Sequence, residues 1–229
     1  MYRGRCAGGS ALYGGTTVIV AVVGSGGKTT YIREQAKKYL AQGKRVLVTT
    51  TTHMYAETDT LFTNDATEIG ACLQTKGYCM AGQREEQSGN FADDGVQQSE
   101  SMRRPEGENR RLAKIRALPP DVLALAAQYA DVVLVEADGS KGRPVKFPAA
   151  HEPVIPAGTD RIVIVMGFFA VGQMIGEACH RPELVCRCLG ASPDHHLTEA
   201  DLEKLVEEGY RAPLTRRYPQ AKIILKKSL

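Results

Sequence analysis

Tryptophan is absent from the 229 residues, and Phe and Tyr together reach only 6%. A core built mainly on large rings is therefore excluded, and packing must rest on Val, Ile, Leu and Ala. No apolar run approaches the roughly 18 residues a membrane span needs, which removes a transmembrane role. The first fifteen residues hold Arg3 and Arg5 but no apolar stretch of signal-peptide length. Six cysteines in a chain this long do not make the dense frame of a small secreted domain. The expected compartment is the cytoplasm. Excess charge of one sign is also lacking. The net charge is +3 and bases are interspersed with acids, so no nucleic-acid partner is expected.

What is present is an alternation of apolar runs and helical periodicities. Val18 to Val23 is a continuous β-branched run, the mark of a strand buried on both faces of a parallel sheet. Gly24 to Gly27 interrupts it. Ile32, Ala36, Tyr39 and Leu40 then share one helical face, predicting a helix from Lys28 to about Gln42, stopped by Gly43. Arg45 to Thr50 follows as a strand, completing a βαβ unit. Further on, the sequence predicts a helix over 121–129 with Asp121 as N-cap, and strands over 131–136 and 161–166. A capped helix starts at Thr198 and runs to about Glu208, and a short strand spans 222–225. This alternation predicts an α/β protein with a mostly parallel sheet between helical layers. Residues 1–16 read as a loose leader and 17–229 as one domain. Within it, 83–111 is a polar insertion with too little apolar surface to order itself.

The loop Gly24-Ser25-Gly26-Gly27-Lys28-Thr29-Thr30 carries the chemistry. Glycines between a strand and a helix let backbone N–H groups converge on a phosphate, and the helix tip adds partial positive charge. Lys28 would reach the β- and γ-phosphates, the Thr29 hydroxyl would bind Mg²⁺, and Thr30 would reach an α-phosphate oxygen. The bland alternative is a plain glycine turn. Against it stands Gly-Gly-Lys-Thr-Thr placed after a buried strand and before an amphipathic helix. Val22 occupies the first glycine position of the longer phosphate-loop pattern. The shorter Gly-x-x-Gly-Lys-Thr-Thr form is similar to the loop of Mur ligases.

The apolar run Val132 to Val135 ends in Glu136, at the strand end where parallel sheets bind ligands. Glu136 is a candidate Mg²⁺ ligand, direct or through water. Glu136-Ala137-Asp138-Gly139 has the spacing of an Asp-x-x-Gly element. In that reading the Gly139 N–H meets the γ-phosphate, and Asp138 is a metal-shell or water-orienting candidate. An ordinary Asp-Gly turn is the alternative. Thr51, Thr52 and His53 close the second strand at the same sheet edge and are candidate phosphate contacts. Lys141 and Arg143, just past Gly139, are candidate cations for phosphate charge or switch residues, or simply a solvated basic loop. Cys179-His180, Cys186-Arg187-Cys188 and His195-His196 have short spacings that zinc can use, but Cys-x-Cys is not a finger spacing and buried thiols are common.

These pieces occur in an order that resembles the YqeC family, accessory proteins of selenium-dependent molybdenum hydroxylases. The matching segments are Val22 to Thr30, Val48 to His53, Val135 to Ser140, Gly142-Arg143-Pro144, His151 to Pro156 and His180-Arg181-Pro182-Glu183. The resemblance implies a P-loop NTPase fold, ATP or GTP with Mg²⁺ as ligand, and a client among molybdenum hydroxylases or their maturation machinery. The Glu136 element is also similar to that of accessory GTPases serving urease, hydrogenase and methylmalonyl-CoA mutase. Two departures stand out: the polar insertion is long, and Lys226 and Leu229 occupy positions where related proteins place an Asn-Lys-x-Asp-like guanine reader. An accessory NTPase is the expectation. A small-molecule kinase or ATP-dependent ligase, and a nucleotide-binding scaffold without turnover, are the rivals.

Overall fold

A computed structural model describes residues 16–85 and 113–229. The elements in chain order are β1 (Val18–Gly24), α1 (Lys28–Leu40), β2 (Val46–Thr50), β3 (His53–Tyr55), β4 (Leu61–Phe62), α2 (Ala66–Lys76), β5 (Tyr78–Arg84), β6 (Lys114–Arg116) and α3 (Pro120–Ala127). They continue with β7 (Val132–Glu136), β8 (Val145–Lys146), β9 (Arg161–Gly167), α4 (Ile175–Ala178), β10 (Cys179–His180), α5 (Pro182–Leu189), α6 (Glu199–Val206), α7 (Ala212–Arg217) and β11 (Lys222–Ser228).

Among the described residues the main sheet runs β11-β9-β1-β7-β2-β5-β6-β3, with β4 pairing beside β5. From β11 to β5 every neighbour is parallel, and the β5–β6 and β6–β3 pairings are antiparallel, so that β6 alone is reversed among these strands. β1 lies centrally because its residues are apolar in both directions. Val20 and Val22 face Ile32 and Ala36 of α1, while Ala21 and Val23 face the opposite layer. That layer is split. α2 and α3 cover the β2–β7 half through Ile69, Leu73, Leu123 and Ala126, and α5 to α7 cover the β1–β9 half through Val185, Leu202, Leu205 and Leu214. The protein is thus a mixed α/β structure with helices on both faces of a largely parallel sheet.

Several boundaries depart from expectation. Asp121 lies inside the first turn of α3, and Pro119 takes the cap position, because Pro120 at the helix start supplies the preset φ. Gln83 and Arg84, assigned to the polar insertion, belong to β5, where pairing with β6 holds them. The rest of the insertion, from residue 86, and residues 1–15 of the leader lie outside the described residues. β11 runs to Ser228, further than the predicted 225. The Thr198 cap forms as predicted, its hydroxyl accepting from Asp201 N and the Asp201 carboxylate accepting from Thr198 N. Beyond α6 the helix passes through a π-helical turn, Glu207–Arg211, before α7. α2 was not anticipated, yet it has its own signals: Asp65 caps its start and Gly77, left-handed with φ 70°, ends it.

Candidate functional site

At the carboxyl ends of β1, β7 and β2 lies a cleft of about 1070 Å³. Its floor is the tip of α1 with Gly26, Gly27, Lys28, Thr29 and Thr30, beside Glu136. One wall is Thr51, Thr52, His53, Met54 and Tyr55 with Glu85 and Lys114. The other is the segment 139–143 with Glu152, His180 and Arg181. Most residues named from the sequence therefore line one space. Gly24, Ser25 and Asp138 lie beneath it.

The loop is shaped by close backbone approach. Gly24, Gly26 and Gly27 have φ of 89°, 71° and 125°. A Cβ on Gly24 would come within 2.1 Å of Val165 O, and one on Gly26 within 2.6 Å of Pro144 O, so neither position accepts a side chain. Ser25 is buried and clamps the turn, its N–H donating to Val165 O (2.8 Å) and its hydroxyl to Pro144 O (3.0 Å). The α1 start has no side-chain cap. Its first N–H groups are those a helix cannot satisfy internally, and here they border the cleft.

Lys28 is buried and donates to Gly24 O (2.9 Å) and Ser140 Oγ (3.3 Å). Burial lowers its pKa, opposed through space by Glu136 and Asp138. Glu136 is also buried, and burial raises its pKa against the pull of Lys28 and a hydrogen bond from Thr29. The Thr29 hydroxyl donates to Glu136 Oε2 at 3.0 Å. Two oxygen donors thus sit side by side on the floor, a donor set that suits a hard cation whose other ligands are phosphate and water. Thr51 N and Thr50 Oγ1 donate to Glu136 O (3.0 and 2.8 Å), which ties the β2 and β7 ends together. His53 reaches the cleft but pairs at 3.6 Å with Glu85.

Asp138 meets a geometry its sequence reading did not foresee. It is wholly buried. Its Oδ2 accepts from Gly24 N (3.2 Å) and Tyr210 Oη (2.8 Å), and its Oδ1 accepts from Lys146 Nζ. Lys146, also wholly buried, donates to Gly139 O (2.6 Å) and pairs with Glu152 (2.7 Å). Glu152 accepts both guanidinium N–H groups of Arg181 (2.5 and 3.2 Å). Burial pushes the Glu152 pKa up, but hydrogen bonds from Arg181 and Lys146 outweigh it and hold the value at about 2. Sequence reasoning quoted the segments holding Glu152 and Arg181 without a role for them, and gave no buried role to Lys146 or Tyr210. Charge on β-strand residues between apolar ones, as at Lys146, was the available signal.

Cys179, Cys186 and Cys188 pack in one apolar cluster. Burial lifts the Cys179 thiol to about 12, and burial with a Glu208 hydrogen bond lifts Cys188 to about 11. His195 pairs with Asp201 (2.9 Å) and His196 with Gly172 O (2.8 Å). Among the described residues no group of three or more His, Cys, Asp or Glu is placed to hold a metal. At the end of β11, Lys227 binds Glu199 and Glu203 (2.8 and 2.9 Å) and lies over the Phe168 ring, beside the loop rather than in the cleft.

The family model described as YqeC protein matches residues 20–183, from β1 through the wall that carries Arg181. The chain belongs to the YqeC family. The Escherichia coli (strain K12) relative described as "Uncharacterized protein YqeC" is 31% identical over 196 residues, covering 82% of this chain and 67% of the relative. The family match therefore includes the glycine loop, Glu136, Asp138, Lys146, Glu152 and the His180-Arg181 pair. No solved structure matches the chain. Among the described residues no helix is long and apolar enough to cross a membrane.

Proposed function

We propose that the protein binds a nucleoside triphosphate, ATP or GTP, with Mg²⁺ on the cleft floor and hydrolyses it, on a P-loop NTPase fold. One observation carries the reading: the uncapped tip of α1, the buried Lys28 and the Thr29–Glu136 oxygen pair converge on one cleft. Backbone N–H groups from Gly26 to Thr30 would hold the phosphate oxygens, and Lys28 would bridge the terminal two. Phosphate would supply the direct counter-charge that the buried Lys28 lacks. Thr29 and Glu136 would hold Mg²⁺, which when bound neutralises charge building on the phosphates. Gly139 borders the position of the terminal phosphate. In-line attack by water then needs positioning more than covalent chemistry. Asp138 is a positioning residue in this reading, holding Gly24 from below. Thr51, Thr52, Lys141 and Arg143 stand where the loops could respond to nucleotide state.

The role implied by the family resemblance is service to a selenium-dependent molybdenum hydroxylase or its maturation machinery, and family membership supports it. Calorimetry with ATP and GTP, each with and without Mg²⁺, followed by phosphate-release assays, tests the chemistry. Wild type is expected to bind one or both with Mg²⁺. Lys28→Ala should abolish binding, and Glu136→Ala should keep part of the binding while stopping turnover. Binding without phosphate release would leave a scaffold. Absence of binding would remove the proposal. Turnover only on adding an acceptor would favour a kinase or ligase, a reading to which the size of the cleft lends support.

A further inference from the structure

The cleft is larger and more basic than its floor requires. Its volume of about 1070 Å³ matches the upper end of the roughly 300–1,000 Å³ that ligand pockets span, and its lining continues past the floor to His180 and Arg181. A triphosphate with Mg²⁺ would be held by the floor. The wall beside it adds Lys141, Arg143 and Arg181, of which Arg181 pairs with Glu152 among the described residues. The Arg143 guanidinium donates to the Glu177 carbonyl rather than to a carboxylate.

This wall is built rather than merely exposed. Arg181 sits in the left-handed region with φ 57°, a conformation unfavourable for a residue with a side chain. Two of the five guanidinium N–H groups, one on each Nη, are held by Glu152, itself anchored by the wholly buried Lys146, and the other three are left for a ligand. His180 pairs in register with Lys146 through the β8–β10 ladder. Among the described residues its Nδ1 is a buried nitrogen with no hydrogen-bond partner, although the residue borders the cleft. Burial, reinforced by Lys146 and Arg181, lowers the His180 pKa and so favours the neutral ring. Backbone strain at Arg181 and buried charge at Lys146 meet at Glu152, and such costs gather where a ligand is held.

We propose that His180, Arg181 and Arg143 form a second subsite that binds a small oxyanion, a carboxylate or phosphate group on a second ligand, facing the nucleotide across the cleft. The proposal rests on the nucleotide reading of the floor, but its residues are distinct from the floor's. Arginine forks recognise planar and tetrahedral oxyanions, and a neutral imidazole contributes one further N–H.

Calorimetry on the full chain tests it, with succinate and inorganic phosphate as separate probes. Each is titrated into free protein and into protein saturated with Mg²⁺ and a non-hydrolysable nucleotide. At least one probe should bind the saturated protein, and which one binds distinguishes carboxylate from phosphate. His180→Gln and Arg181→Lys should weaken that binding about tenfold, the loss of one or two charge-assisted hydrogen bonds, with nucleotide affinity unchanged. Far-UV circular dichroism checks the Arg181 variant, and the His180 variant stands alone if Arg181→Lys fails to fold. The subsite is overturned if neither probe binds the saturated protein. It is equally overturned if both variants bind the probe as wild type does, or if they lose nucleotide and probe together. Should the nucleotide itself fail to bind, the floor reading falls, while probe binding to free protein and its dependence on His180 still decide the subsite.

Discussion

Two buried lysine–carboxylate sets stand within a few residues of each other and differ in completeness. Lys146 and Asp138 touch directly, both wholly buried, and every remaining polar atom around them is claimed by Gly139 O, Glu152, Gly24 N or Tyr210. Lys28 and Glu136 act on each other through space. Burial works against the charge of both, and their nearest partners are a carbonyl and two hydroxyls. The first set is closed and fixes the loop. The second is open to the cleft, and added phosphate and metal would complete it. A closed buried network stabilises one geometry, whereas an open one keeps affinity in reserve.

Removing a member of the closed set should do the most damage. Lys146→Met leaves the wholly buried Asp138 without its cation, while Glu152 keeps Arg181, and a loss of roughly 3–5 kcal/mol in unfolding free energy is expected from urea titration. A loss under about 1 kcal/mol, the size of an exposed pair, would break the contrast. A smaller effect should appear with pH. Glu152 is held at about 2 against its ordinary 4.5. Its stabilisation is complete above pH 4.5 and is lost as pH falls toward 2, because the unfolded chain takes up the proton first. The urea midpoint of wild type should fall across that window more steeply than that of Glu152→Gln. Parallel curves would refute the assignment. The smallest change in stability should come from the open set. Lys28→Met removes a desolvated charge with no carboxylate in contact, so the melting temperature should hold steady or rise. A drop like that of Lys146→Met would show the two sets to be alike.

The same contrast explains what the sequence could disclose. Gly24 to Thr30 is contiguous, and its candidate role comes from local chemistry, so it could be named before any fold was known. Glu136 became a candidate as the carboxylate that ends a buried strand, and the structure brings it beside Gly26 to Thr30 in one cleft. β1, β2, β7 and β9 were legible because parallel strands buried on both faces read as unbroken apolar runs. Asp138 was given a metal-shell role because Asp-Gly after a strand has that local look, but Tyr210, 72 positions away, and Lys146 close over it from below. Such convergence leaves no spacing to read. α2 was missed although its signals were present: Ala66, Ile69, Gly70 and Leu73 recur at helical spacing between Asp65 and Gly77, but two of the four are the small residues Ala and Gly. β6 escaped notice because its three residues gain their strand character from β5 and β3.

A crystal structure with Mg²⁺ and a non-hydrolysable nucleotide is the most direct test of the central claim. The terminal phosphates should lie on the backbone amides of Gly26 to Thr30, with the metal between Thr29 and Glu136 and the Asp138–Lys146 network unmoved. A nucleotide seated elsewhere, or a tip of α1 left bare at saturating ligand, would contradict it.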